Sequence, residues 1–108
     1  MPEYIQVVTT VESPDDARRL AVALVQQRLA ACVQVVGPIR STYWWKGQIQ
    51  TAEEWQCLIK TRRDLFVRLE AAIRAVHPYE VPEILATPVV AGHQPYLDWI
   101  EKETQPKE

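Results

Sequence analysis

The run CVQVVGPIRSTYWWKGQIQTAEEWQCLIKT, residues 32–61, decides the reading of this chain. β-Branched and aromatic residues flank Lys46-Gly47, a dipeptide suited to a tight turn, so the run reads as one long hairpin. Its first arm is Cys32 to Val36 and then, after a Gly37-Pro38 break, Ile39 to Trp45; its second is Gln48 to Thr61. Proline has no amide hydrogen to give a ladder, so Pro38 predicts a bulge or bend and puts the first arm at a sheet edge.

Working outward, Tyr4 to Thr10 reads as a strand. Ser13 then offers an N-cap, Pro14 suits the first helical position and Asp16 completes a capping pattern. Ala17, Leu20, Ala21, Leu24 and Val25 recur at helical spacing, predicting a helix to about Arg28 or Leu29. Beyond the hairpin, Leu65, Phe66, Leu69, Ile73 and Val76 mark a second amphipathic helix, stopped by Pro78. Ile84 to Val90 reads as a fourth strand, and Pro95 opens a short terminal helix carrying Tyr96, Leu97 and Ile100. The tail from Thr104 to Glu108 is polar and predicted to fray. The order is β-α-β-β-α-β, an α+β, ferredoxin-like antiparallel sheet in a single domain over 1–108, with its core at about 4–101.

Side chains alternate faces along a strand, yet apolar residues occupy both faces of most strands here. Two crossover helices cover only one face. Trp44 and Trp45 are adjacent, so they cannot share one core, and each carries roughly 200 Å² of mostly apolar surface. A patch of that size points to a partner subunit, with Tyr43, Trp44, Trp45 and Trp55 at the interface. The alternative is a hairpin folded over its own core, with the tryptophans as lids.

With 108 residues, 47% hydrophobic and 24% charged, the composition is that of a packed globular domain. A net charge of −2 offers no general attraction to phosphate backbones, which argues against nucleic-acid binding. The Arg18-Arg19 and Lys60/Arg62/Arg63 clusters read as solvated faces. No apolar run approaches the ~20 residues that span a bilayer. Met1-Pro2-Glu3 leads into a strand without a signal-peptide pattern, and Cys32 and Cys57 read as buried thiols, so the expectation is a cytoplasmic protein.

The segment His77-Pro78-Tyr79-Glu80-Val81-Pro82-Glu83 concentrates an imidazole, a phenol and two acidic groups in a stiff connection. It could hold a divalent metal, or it could be a rigid helix stop in which His77 caps carbonyls. Cys32 is a candidate soft ligand or a small strand hydrophobe. Lys60 is placed to pair with Glu80 or Glu83, or to line a cleft between subunits. With three glycines there is no phosphate-binding loop, and no nucleophile-base-acid set has a readable spacing, so no enzyme is expected.

Leu29-Ala30-Ala31-Cys32-Val33, Ser41-x-Tyr43-x-Trp45-x-Gly47-x-Ile49, Leu58-Ile59-Lys60-Thr61, His77-Pro78-Tyr79-Glu80-x-Pro82-Glu83-Ile84 and Tyr96-Leu97-x-Trp99-Ile100 together resemble the CutA, or divalent-cation tolerance, proteins. The match runs over essentially residues 4 to 101. The resemblance implies a homotrimer with links to copper and other divalent metals, and a non-catalytic role. Copper ligands proposed in some members are a Cys ending the first strand and a His-His pair. Those positions here are Thr9 or Thr10 and Val76-His77, so only His77 is retained, with Cys32 matching a family cysteine. No cofactor is obligatory on this reading, and copper is a weakly held metal. A PII-like sensing trimer, with a small ligand between subunits near Lys60, Tyr79, Glu80 and Glu83, is the alternative, as is a trimeric scaffold for a partner protein.

Overall fold

Lys46 and Gly47 both take positive φ, 52° and 78°, and this turn sets the register of the two long strands. In the computed structural model, which describes residues 3–106, β2 (Cys32–Trp45) and β3 (Gln48–Arg62) pair antiparallel from Trp45↔Gln48 down to Cys32↔Lys60. The register slips between Val36 and Ile39, where Gly37-Pro38 forms the predicted bulge. The indole of Trp55 fills the space a side chain at Gly37 would need: a Cβ there would lie 2.3 Å from its Cδ1.

β1 (Tyr4–Val11) pairs antiparallel with β3 over Trp55–Arg62, and with β4 (Leu85–Pro88), giving the strand order β2-β3-β1-β4. This is the ferredoxin-like arrangement, with β2 at one edge as Pro38 predicted. The hairpin from Ile39 to Glu54 runs past the end of β1, so its arms pair only with each other. It draws the chain out to 45 × 28 × 22 Å.

α1 (Pro14–Gln26) starts where Ser13 Oγ accepts from the Asp16 amide at 3.0 Å. It ends two or three residues before the predicted limit because Arg28 turns left-handed at φ 61°. The Arg28 amide returns to Val25 O and the Leu29 amide to Leu24 O, a Schellman closure with arginine in place of the usual glycine. The Arg28 side chain is held by Glu103, at 3.1 Å to its carbonyl and 2.7 Å to its carboxylate. A single 3-10 turn, Arg63–Leu65, leads into α2 (Phe66–Val76). Leu20 and Leu24 of α1, and Leu69 and Ile73 of α2, pack on Ile5, Val7, Cys57 and Ile59 from one face of the sheet. Val25 and Val76, predicted on the buried stripes, are exposed, while Leu24 and Ile73 beside them carry the contact.

The other face is not left entirely open. α3 (Gln94–Glu103) crosses onto it and buries Ile100 against Tyr4 and Ala31, with Val89 and Leu97 alongside. Tyr4 Oη donates to Glu101 Oε1 at 3.0 Å. The frayed tail is also corrected at its first residue. Thr104 is buried, accepting from Arg62 Nε at 2.9 Å through its hydroxyl and from Arg62 Nη2 at 3.1 Å through its carbonyl. The fourth strand is shorter than Ile84 to Val90: it pairs with β1 over Leu85–Pro88, and beyond it the Val89 amide still reaches Tyr4 O at 2.9 Å. Met1, Pro2, Lys107 and Glu108, with the expectations about the chain start and the last tail residues, lie outside the described residues.

Candidate functional site

α2 ends at His77, whose amide reaches Ile73 O at 2.9 Å, and Pro78 prevents another turn. The imidazole then locks the segment. Its Nδ1 accepts the Tyr79 amide at 3.1 Å, which leaves the proton on Nε2, and Nε2 donates to Thr10 O at 2.8 Å. Burial lowers the ring's pKa, and the Thr10 carbonyl works in the opposite direction. His77 is therefore the neutral, doubly bonded pin that ties the end of α2 to the end of β1.

Pinned in this way, Tyr79 tilts against the imidazole, ring centroids 4.8 Å apart. Its hydroxyl donates to Glu54 Oε2 at 2.6 Å. Burial is the largest cause pushing the Tyr79 pKa up, and the Glu54 carboxylate adds to it, so the phenol stays protonated as a donor. Glu54 comes from β3, at the point where the hairpin leaves the sheet, and only 6% of it is exposed. Among the described residues no lysine, arginine or histidine pairs with it, and its Oε1 receives no hydrogen bond.

Between the hairpin and the 77–83 segment lies a cavity of about 660 Å³, walled by Tyr43, Trp45 and Tyr79 with Glu54, Glu80 and Glu83. The cavity brings together Tyr79, Glu80 and Glu83, which the sequence reading grouped, with the hairpin aromatics, which it kept apart from them. That reading missed Glu54 and Thr10, which also line the cavity. Period-2 alternation puts Glu54 on the same side as Gln56 and Leu58, but no sequence signal shows that the 77–83 segment folds over it.

Lys60 is not part of this cavity. Its ammonium bonds Gln34 Oε1 across the β2–β3 pair, where the register sets Lys60 opposite Cys32. Glu80 and Glu83 instead line the cavity beside Glu54, six positions from Lys60 along β3. Trp55 points to the helix side, against the core and Gly37. Trp44 is 71% exposed and faces Ile49, itself 63% exposed. Tyr43 and Trp45 are partly exposed, and Lys46 Nζ sits 5.7 Å from the Trp45 ring centroid.

The two predicted metal ligands do not meet. Cys32 lies level with Lys60 and Gln6, whereas His77 is tied to Thr10, four residues further along β1. That is about 13 Å along the strand direction. Cys32 instead sits beside Tyr96 of α3, whose pKa is raised first by burial and then by that thiol. With both His77 nitrogens engaged, these residues do not fit a resident copper centre within one chain. Among the described residues, no three His, Cys, Asp or Glu side chains are grouped to hold a metal. Nor is any described helix long and apolar enough to cross a membrane.

A family model described as CutA1 divalent ion tolerance protein matches residues 5–103. The chain is 44% identical over 98 residues to the divalent-cation tolerance protein CutA of Thermus thermophilus, covering 91% of this chain and 95% of that one. To the rice protein CutA 1, chloroplastic, it is 41% identical over 94% of this chain, but it spans only 57% of that longer protein. The solved structure of the periplasmic divalent cation tolerance protein CutA from Archaeoglobus fulgidus superimposes with a TM-score of 0.92 at 35% identity, covering 94% of this chain and 99% of that one.

Proposed function

The chain belongs to the CutA1 divalent ion tolerance family, and from that premise we propose that it works as a non-catalytic homotrimer joined through its hairpin, without a resident copper centre. The observation that carries this is the reach of Ile39 to Glu54 beyond the sheet with Trp44 and Ile49 exposed on it. Among the described residues β2 also keeps an unpaired outer edge, a ready template for a strand of another copy. Pairing of that edge with a different strand of the next copy is heterologous, and such contacts form a ring where the rotation closes. The number three follows the family resemblance.

The absence of catalysis is supported by the state of the reactive groups. Cys57 is fully buried and its thiol is pushed up to about 11, and both nitrogens of His77 are engaged. The two free thiols support a cytoplasmic location. Copper meets only scattered donors on this account and is held weakly. Isothermal titration of the assembled protein with Cu(II) and Zn(II) tests it: weak uptake that His77→Ala leaves unaltered is expected. Stoichiometric tight uptake abolished by His77→Ala would overturn it.

A second reading is favoured by Glu54. A nearly buried carboxylate facing a cavity, with one oxygen lacking a donor, supports a small-ligand site of the sensing kind in the Tyr79–Glu83 region.

A further inference from the structure

We propose that His77 is an acid-released latch: its protonation frees the Pro78–Glu83 segment from the base of the hairpin while the fold and the assembly stay intact. Few bonds hold that segment. Pro78 and Pro82 have no amide hydrogen to donate. Among the described residues the stretch from Pro78 to Glu83 makes two hydrogen bonds, both through Tyr79. The Tyr79 amide donates to His77 Nδ1 at 3.1 Å, and the Tyr79 hydroxyl donates to Glu54 Oε2 at 2.6 Å. Glu80, Val81 and Glu83 are exposed, so little apolar burial reinforces these two bonds.

Only the neutral ring holds the latch. Nε2 carries the proton it gives to Thr10 O at 2.8 Å, so a second proton goes to Nδ1, the atom that accepts the Tyr79 amide. Two N–H groups then face each other, and attraction becomes repulsion. The imidazolium keeps its bond to Thr10, so the ring stays on β1 while the Tyr79 amide is let go. The charged ring is not stranded, because Asp16 of α1 and Glu54 of β3 both favour it. Arg19 of α1 is paired with Asp16, and β1 presents the Thr10 carbonyl. Tyr79, tilted on the ring, stays protonated throughout. On its α1 side the ring borders a cavity of about 280 Å³ shared with Asp16, Arg19 and Pro78, room for the water that delivers the proton. Burial lowers the ring's pKa, so the latch is closed at neutral pH and opens as pH falls below about 6.5, the value of a free imidazole.

The test is amide hydrogen exchange of the full-length assembled protein, followed by nuclear magnetic resonance at about pH 7.5 and 5.5, with each rate compared with the intrinsic rate at that pH. Protection of the Tyr79 amide should fall at least about fivefold at the lower pH, the worth of one hydrogen bond. Val7 and Ile59 in the sheet should keep theirs, and light scattering should give one mass at both pH values. Two variants separate the latch from a general weakening in acid. In His77→Asn the side-chain oxygen stands in for Nδ1 and accepts the amide two residues on, so Tyr79 should stay protected at both pH values. In His77→Gln the longer amide group reaches Thr10 O in place of Nε2 but leaves the Tyr79 amide without its acceptor, so protection should be low at both. Equal protection of Tyr79 in the parent at the two pH values, or an acid loss that persists in His77→Asn, would overturn the proposal. Dissociation of the parent at the lower pH would overturn it too, since the response would then lie between copies.

Discussion

Replacing Tyr79 by phenylalanine removes one oxygen and keeps the ring that tilts on His77, so it isolates the bond to Glu54. At 2.6 Å to a carboxylate, that bond belongs to the short, charge-assisted class, with a net contribution of about 1.5–3 kcal/mol. Tyr79 is only half-buried, so about 2 kcal/mol is the expected loss. For a domain of this size the midpoint falls by roughly 4–8 °C per kcal/mol, so Tyr79→Phe should melt at least about 8 °C lower. The assay is denaturant and thermal unfolding at one fixed protomer concentration, since assembly itself shifts the midpoint. Glu54→Gln in the Tyr79→Phe background removes the stranded charge, so the double variant should lose less than the sum of the singles by about 1 kcal/mol or more. The tyrosine also leaves an alkaline signature. Its folded pKa is raised above the unfolded value, so its contribution is complete below pH ~10 and is lost as pH rises beyond it. A Tyr79→Phe protein within about 0.5 kcal/mol of the parent, or strictly additive singles, would refute the reasoning.

Three other outcomes follow from the same geometry. Gly37→Ala drives a methyl into the Trp55 indole and should cost about 1–3 kcal/mol, measured by urea unfolding with tryptophan fluorescence; a neutral result would mean Trp55 is not seated on Gly37. His77 has a folded pKa below its unfolded value, so its neutral form favours folding above about pH 6.5 and stability falls as pH drops through that value. In His77→Gln this slope between pH 5 and 7.5 should shrink; an unchanged slope would contradict the pinned neutral imidazole. Val36→Asp puts a charge on the uncovered face beside the free edge of β2, and should yield dissociated chains with unchanged far-UV dichroism. Intact oligomers in Val36→Asp would move the interface elsewhere.

Much of the fold was legible because its signals are local. Ser13-Pro14 starts α1, Lys46-Gly47 turns the hairpin and Pro38 breaks the outer arm, each through backbone chemistry confined to a few residues. What was not legible depends on contacts far apart in sequence. α3 reaches the second face through Tyr4 and Ala31, and Thr104 is fixed by Arg62, so neither follows from the pattern near residue 100. Arg28 ends α1 in a conformation that favours glycine, and its partner is Glu103. The site divides in the same way. Tyr79, Glu80 and Glu83 share one short stiff segment, and their grouping was visible. Glu54 enters from another element 25 positions away in the sequence, and the 13 Å between the levels of Cys32 and Thr10 emerges only from strand register.

The central claim is that the protruding hairpin joins copies of this chain, and solution mass tests it most directly. Multi-angle light scattering at micromolar concentration, with and without EDTA, should give three times the 12.4 kDa chain mass in both conditions. A 12.4 kDa species, or an assembly that falls apart in EDTA, would contradict it.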